Sequence, residues 1–214
     1  EVIHGDIRST NLEDIRRTLG DTAPHLLAGC PPCQGFSSLR RLNQKQSVRD
    51  PRNSLVLEFL RFVIELEPYT IMMENVPGLI NYYQFRKVVS ELRKLKYNPV
   101  FKIVNVKDYG VPQSRERLIL MGSRLGEIQI HGGIKKHVTV RERIGHLPRP
   151  NLSKDPMQKI VMNHIPRIKK MISLVPKNGG GRLDLPEEYI LECHKKEGVG
   201  FNDIYGRLRW DDHS

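Results

Sequence analysis

His25-Leu26-Leu27-Ala28-Gly29 is a short apolar run that passes directly into Cys30-Pro31-Pro32-Cys33-Gln34-Gly35-Phe36-Ser37. An apolar run closed by Gly and Pro reads as a buried strand, with the polar cluster at its carboxyl end. The arrangement repeats downstream. Tyr69 to Met73 is strand-like, and Glu74-Asn75-Val76-Pro77-Gly78 reads as the turn after it. Between the two, Ser54 is a candidate cap for a helix through Glu67, with Leu55, Leu57, Phe59, Leu60, Val63 and Ile64 as its apolar face. Pro68 ends that helix.

The pattern extends both ways. Thr10 to Leu19 has helical spacing in Leu12, Ile15 and Leu19, with Gly20 as a stop. Tyr83 to Lys96 reads as a basic amphipathic helix, Val100 to Val106 alternates as a strand does, and Leu118 to Met121 is an apolar run ended by Gly122. Strands alternating with helices predict an α/β sheet with helices on both faces. After Arg124 the pattern breaks down at Pro148, Pro150, Pro156, Pro166 and Pro176. Leu125 to Tyr205 therefore reads as a small irregular domain with short helices such as Ile165 to Leu174. In it, Asn178-Gly179-Gly180-Gly181 is a flexible loop or a close-approach turn.

The chain has 214 residues and a formal charge of +11, enough for one core and an appendage. No apolar run approaches the roughly 20 residues that cross a bilayer. Three Cys cannot build a disulfide framework, which suits a reducing, cytoplasmic compartment. The charge is uneven. Lys135 to Lys177 holds 11 Lys and Arg against two acidic residues, whereas Leu183 to Ser214 holds four against eight. A polyanion such as nucleic acid suits the basic segment, and a solvated surface would look the same.

In an open α/β sheet, ligands bind at the carboxyl ends of strands. The Cys33 cluster and the Glu74 cluster both fall there, and Gln113-Ser114-Arg115-Glu116-Arg117 immediately precedes a strand. A Cys, a Glu and an Arg pair in one crevice suit covalent catalysis. A thiolate is a strong nucleophile near neutral pH, a carboxyl donates or takes a proton, and an Arg fixes a carbonyl oxygen and the carboxyl. A pyrimidine suits this trio, because hydrogen bonding at N3 opens C6 to attack. Cys30 and Cys33 also have the spacing of a redox pair or half a zinc site. Pro-Pro between them disfavours the first, and the adjacent Cys193-His194 do not complete the second, so no metal site is expected. Cys30 reads as a buried strand-end residue.

The run Pro31-Pro32-Cys33-Gln34-Gly35-Phe36-Ser37 resembles the catalytic motif of the DNA cytosine-5 methyltransferases. Glu74-Asn75-Val76 resembles their second catalytic motif, and Gln113 to Arg117 their Gln-x-Arg-x-Arg motif. Asp50-Pro51-Arg52-Asn53-Ser54-Leu55 is similar to the motif between the first two. Gly5-Asp6-Ile7 is similar to the acidic motif near the cofactor adenine. Arg207-Leu208-Arg209-Trp210-Asp211 resembles the start of the segment that follows target recognition. Six motifs in order cover nearly the whole chain.

The resemblance implies a Rossmann-like S-adenosylmethionine-dependent methyltransferase sheet in residues 1–124. A target recognition domain in 125–205 and a return segment in 206–214 would follow. It implies that Cys33 attacks C6 of a flipped-out cytosine, Glu74 contacts N3 and the amino group, Arg117 contacts O2 and braces Glu74, and Arg115 supports the pocket. Asp6, Ile7, Pro32 and Leu55 would contact S-adenosylmethionine. Gln34, together with Ser37, Arg40 and Arg41 of a mobile segment from Ser37 to Asn53, would contact double-stranded DNA, as would Gln113, Arg167, Lys169 and Lys170; Arg182 is a further candidate.

The family's glycine-rich cofactor loop and closing motif have no counterpart in residues 1–214. The expectation is an internal fragment or one part of a split enzyme. Such a chain would be inactive alone, and monomeric or joined by a polypeptide supplying those motifs. A tRNA cytosine-5 methyltransferase and a non-catalytic DNA-binding fragment are the competing readings.

Overall fold

In a computed structural model, residues 2–20, 22–32, 54–134, 136–192, 195 and 205–214 are described. The chain forms two compact units: Glu1–Asn105 with Glu116–Gly132, and Val106–Arg115 with Gly133–Ser214. The motif-based boundaries fall elsewhere, after Arg124 and Tyr205.

The first unit is built on a four-stranded sheet of β1 (Leu26–Gly29), β2 (Thr70–Asn75), β3 (Val100–Asn105) and β4 (Glu116–Ser123), in the order β1-β2-β4-β3. β1 runs parallel to β2, and β4 is antiparallel to both β2 and β3. Ile71, Met73 and Asn75 lie opposite Gly122, Leu120 and Leu118, and the period of two puts all six on one face. Helices α1 (Leu12–Leu19), α2 (Leu55–Leu66) and α3 (Tyr83–Lys94) belong to the same unit. Val56, Phe59, Leu60 and Val63 of α2 and Phe85, Val88, Val89 and Leu92 of α3 close over Ile71, Met73, Leu118 and Leu120. Each such burial contributes roughly 1.5–3 kcal/mol. Helices on both faces were expected, yet these two long helices share one. The other face carries half-buried Met72, Glu74, Ile119 and Met121.

Several local expectations are corrected. β1 is not fully buried: it pairs with β2 alone among the described residues, and Leu26 is 54% exposed. Gly29 of β1 is still required, because a Cβ there would stand 2.8 Å from the Phe59 ring. On α2, Ile64 faces outward, and Val56 and Leu66 are buried instead. Ser54 makes no side-chain capping bond. Glu74 and Asn75 are not in a turn; they are the last residues of β2, kept in the ladder opposite Ile119 and Leu118. Gly122 does not end β4, which continues through Ser123 opposite Thr70.

The second unit has a separate core of Met171, Val175 and Leu185, with Ile168, Leu174 and Tyr189 against it. It contains the short helix α4 (Val140–Ile144), closed by a Thr139–Glu142 capping box, and α5 (Pro166–Leu174). The terminal stretch is strapped into this unit. Val140 N donates to Asp212 O at 2.9 Å, Arg141 N to Trp210 O at 2.8 Å, and Ser114 N to Ser214 O at 2.6 Å. Those bonds group 106–115 and 206–214 together. The Asn178–Gly181 segment is a close-approach turn: Asn178 and Gly179 have φ of 67° and 102°. A Cβ on Gly179 would lie 2.6 Å from Arg209 Nε. No described helix is long and apolar enough to cross a membrane.

Candidate active site

Glu74 and Arg117 come from neighbouring strands. Glu74 lies opposite Ile119 on β4, and Arg117 is two residues from Ile119, so both side chains project from the same sheet face as a diagonal pair. Arg117 Nε approaches Glu74 Oε1 to 2.6 Å, with the side chains 19% and 31% exposed. A second guanidinium nitrogen, Nη1, donates to the Glu116 carbonyl at 2.7 Å. The carboxylate is thus oriented by a planar cation while still reachable from solvent. Contrary to expectation, Glu116 and Arg117 belong to β4 and do not precede it; this is why the ladder fixes Arg117 beside Glu74.

Asn75, next along β2 and buried, ties this strand to the Cys33 motif. Its Nδ2 donates to the Pro31 carbonyl at 2.9 Å, and its Oδ1 accepts from Val76 N at 2.9 Å. In the sequence, Asn75 stands out only as part of its motif. Its place at the end of a buried strand was the available signal, since a buried amide needs partners. Cys30, expected to be buried, is exposed as a residue. Its thiol is pushed up from its ordinary value by partial burial first, and then by the Glu74 carboxylate, which repels a thiolate and accepts from the thiol. Cys30 is therefore a protonated neighbour of Glu74 at neutral pH and a poor nucleophile.

At the amino-terminal side, Asp6 precedes a 3-10 turn, Ile7–Ser9. Asp6 Oδ1 accepts from Arg8 N at 2.9 Å, and Arg8 Nη2 donates to Oδ2 at 2.5 Å. These bonds lower the Asp6 pKa from 3.8 to about 2. Arg61 of α2 donates to the Ile7 carbonyl at 2.6 Å and to the Thr10 carbonyl at 3.4 Å, fixing this turn against the helix that begins at Leu55. Nothing in the sequence marks Arg61, which also pairs with Glu58 at 2.7 Å. Ile7 is exposed, and Leu55 and Pro32 are accessible at intermediate or exposed positions.

Gln113 and Arg115 belong to the second unit, whereas Glu74 and Arg117 belong to the first. Arg115 O accepts from Val106 N at 3.0 Å. Arg167, Lys169 and Lys170 are exposed on α5. Arg182 is 4% exposed, so it is enclosed in the second unit and does not present a surface cation. Trp210 is 38% exposed and has the Arg141 guanidinium 5.6 Å from its ring centre. Cys33, Gln34, Ser37, Arg40, Arg41 and the rest of the Ser37 to Asn53 segment lie outside the described residues, as do Cys193 and His194. Among the described residues, no group of three His, Cys, Asp or Glu could hold a metal ion.

With this geometry in view, the chain belongs to the C-5 cytosine-specific DNA methylase family, whose sequence model matches residues 1–185. It is 36% identical over 198 residues to the Type II methylase M.HgiDII of Herpetosiphon aurantiacus, covering 87% of this chain and 54% of that protein. It is 31% identical over 194 residues to the Type II methyltransferase M1.HphI of Haemophilus parahaemolyticus, covering 87% and 52%. The chain thus spans about half the length of these relatives. Among solved structures, it resembles a prophage-encoded DNA modification methyltransferase of E. coli with TM-score 0.52 and 29% identity, over 67% of this chain and 41% of that one. The Entamoeba histolytica methyltransferase EhMeth shares the fold, with TM-score 0.53 and 22% identity over 83% and 52%.

Proposed function

We propose that this chain carries the catalytic and target-recognition machinery of a DNA cytosine-5 methyltransferase of restriction-modification type. The full-length protein acts on duplex DNA in the cytoplasm as a monomer. The observation that carries this reading is the 2.6 Å Arg117–Glu74 pair, placed one residue from the Asn75 bond to the Cys33 motif.

Cys33 supplies the thiolate that attacks C6 of the flipped cytosine, forming an S–C6 bond and moving the electron pair toward C5. Glu74 holds the proton at N3 and accepts from the exocyclic amine, which makes C6 electrophilic; such a positioned acid contributes typically about 10²–10⁴-fold. Arg117 keeps the carboxyl in register and offers its remaining guanidinium donors to the cytosine O2. Once C5 carries its methyl, loss of the C5 proton and departure of the Cys33 sulfur restore the ring.

S-adenosylmethionine, when bound, supplies the electrophilic methyl group. The residues present fit its adenosine end: Asp6 is an exposed anion at neutral pH and can accept from the adenine amine, while Ile7 and Leu55 offer apolar surface on elements joined by Arg61. Pro32, also exposed, would add a further apolar contact.

The test is methyl transfer from tritiated S-adenosylmethionine by the full-length protein, with duplex DNA and tRNA as alternative acceptors. Label recovered as 5-methylcytosine in duplex DNA is expected. Label in tRNA alone contradicts the reading, as does DNA binding without transfer.

A further inference from the structure

Met157, Ile160, Val161, Met162 and Ile165 form one consecutive stretch of the second unit and are each between 64% and 79% exposed. They contribute nothing to that unit's core, which closes on Met171, Val175 and Leu185. The stretch is held in shape: Lys169 Nζ donates to Asn163 Oδ1 at 3.1 Å, and Lys169 N donates to Ile165 O at 3.0 Å. Exposed apolar side chains in such a run mark an interaction surface. Five exposed cations, Lys154, Lys159, Arg167, Lys169 and Lys170, lie on the same stretch of chain with only Asp155 against them.

That charge selects the occupant. A second copy would bring its own five cations against these, and protein interfaces are poor in Lys at their centres. A polyanion meets the cations favourably. Phosphate oxygens, however, gain nothing from Met, Ile or Val, so these side chains need apolar partners within the polyanion. Duplex DNA provides them as thymine methyl groups and base edges in the groove, or as a base step opened by a wedge.

Resting on the function proposed above, we infer that residues 157–165 are a base-contacting segment, pressed into the DNA groove while the flanking Lys and Arg hold the phosphates. The two roles differ in kind. The cations set affinity for any duplex and its salt dependence; the apolar side chains set preference for one sequence.

The experiment uses the full-length protein and duplexes selected by binding from a pool with a randomised core, so it does not depend on methyl transfer. Affinity is measured for the selected duplex and a scrambled one across a series of salt concentrations. Ile160→Ser, Val161→Ser and Met162→Ser combined are expected to reduce preference for the selected duplex by about 10-fold or more. Affinity for the scrambled duplex and its salt slope stay unchanged, and so does the thermal midpoint. Met162→Leu keeps the preference. Arg167→Gln with Lys170→Gln lowers the salt slope by about 2 for both duplexes. A serine variant with wild-type preference overturns the inference. So does one that weakens both duplexes equally, or one that separates a wild-type dimer into monomers. Absence of 5-methylcytosine in duplex DNA, by contrast, overturns the proposed reaction and leaves this binding result to stand or fall by itself.

Discussion

Arg117 Nε lies 2.6 Å from Glu74 Oε1 across the β2–β4 ladder. Both side chains retain some exposure, so the pair adds only about 0–1 kcal/mol to stability, and its main effect is on the direction of the carboxyl. Arg117→Gln should leave the unfolding midpoint nearly unchanged. Glu74→Gln should slow methyl transfer by about 10²–10⁴-fold. Arg117→Lys should recover little, because a point charge lacks the guanidinium fork. Single-turnover rates on duplex DNA check this; full activity in Arg117→Gln would contradict it.

Asn75 links two motifs that are 44 residues apart in sequence. Asn75→Ala strands the Pro31 carbonyl and the Val76 amide, costing about 1–3 kcal/mol. It should also lower the transfer rate by displacing the Cys33 motif. Urea unfolding and transfer rates should change together. An Asn75→Ala protein with wild-type values in both would remove the proposed link.

Gly29 allows α2 to approach β1. A methyl group 2.8 Å from Phe59 must displace the ring, so Gly29→Ala should destabilise the fold by about 1–3 kcal/mol. Phe59→Leu in the same protein should relieve part of the clash, giving a double mutant more stable than the sum of the single effects. Strict additivity in denaturant unfolding would refute the contact.

Asp6 titrates at about 2 because Arg8 bonds its anionic form. A carboxyl whose folded pKa is depressed stabilises the fold fully above its unfolded value of 3.8, and that contribution is lost as pH falls through 2. In an NMR carboxyl titration, Arg8→Gln should raise the Asp6 midpoint toward 3.8. A midpoint unaffected by Arg8 would show that another group holds the anion.

Alternation of apolar runs made the sheet legible, and helix α3 and strand β3 lie within their expected spans, because periodicity and flanking breakers act locally. Strand ends were less legible. Glu74 and Asn75 are polar and read as turn, and Glu116 and Arg117 read as preceding a strand, yet ladder partners far away in sequence keep all four extended. The α2 face was misjudged at Ile64 and Val56 because both are apolar, and only tertiary packing decides which is inside. Glu74 and Arg117 were legible as a pair through their motifs; the Asn75–Pro31 and Arg61–Ile7 bonds were not, since they depend on backbone carbonyls that no sequence pattern marks.

Covalent trapping tests the central claim most directly. The full-length protein, with S-adenosylmethionine and duplex DNA carrying 5-fluorocytosine at its target, should form an adduct stable to denaturing gel electrophoresis. Fluorine in place of the C5 proton blocks release of the Cys33 sulfur, so the adduct peptide should contain Cys33, and Cys33→Ser should give none. An adduct that survives Cys33→Ser, or no adduct on any duplex that the protein binds, would contradict the account.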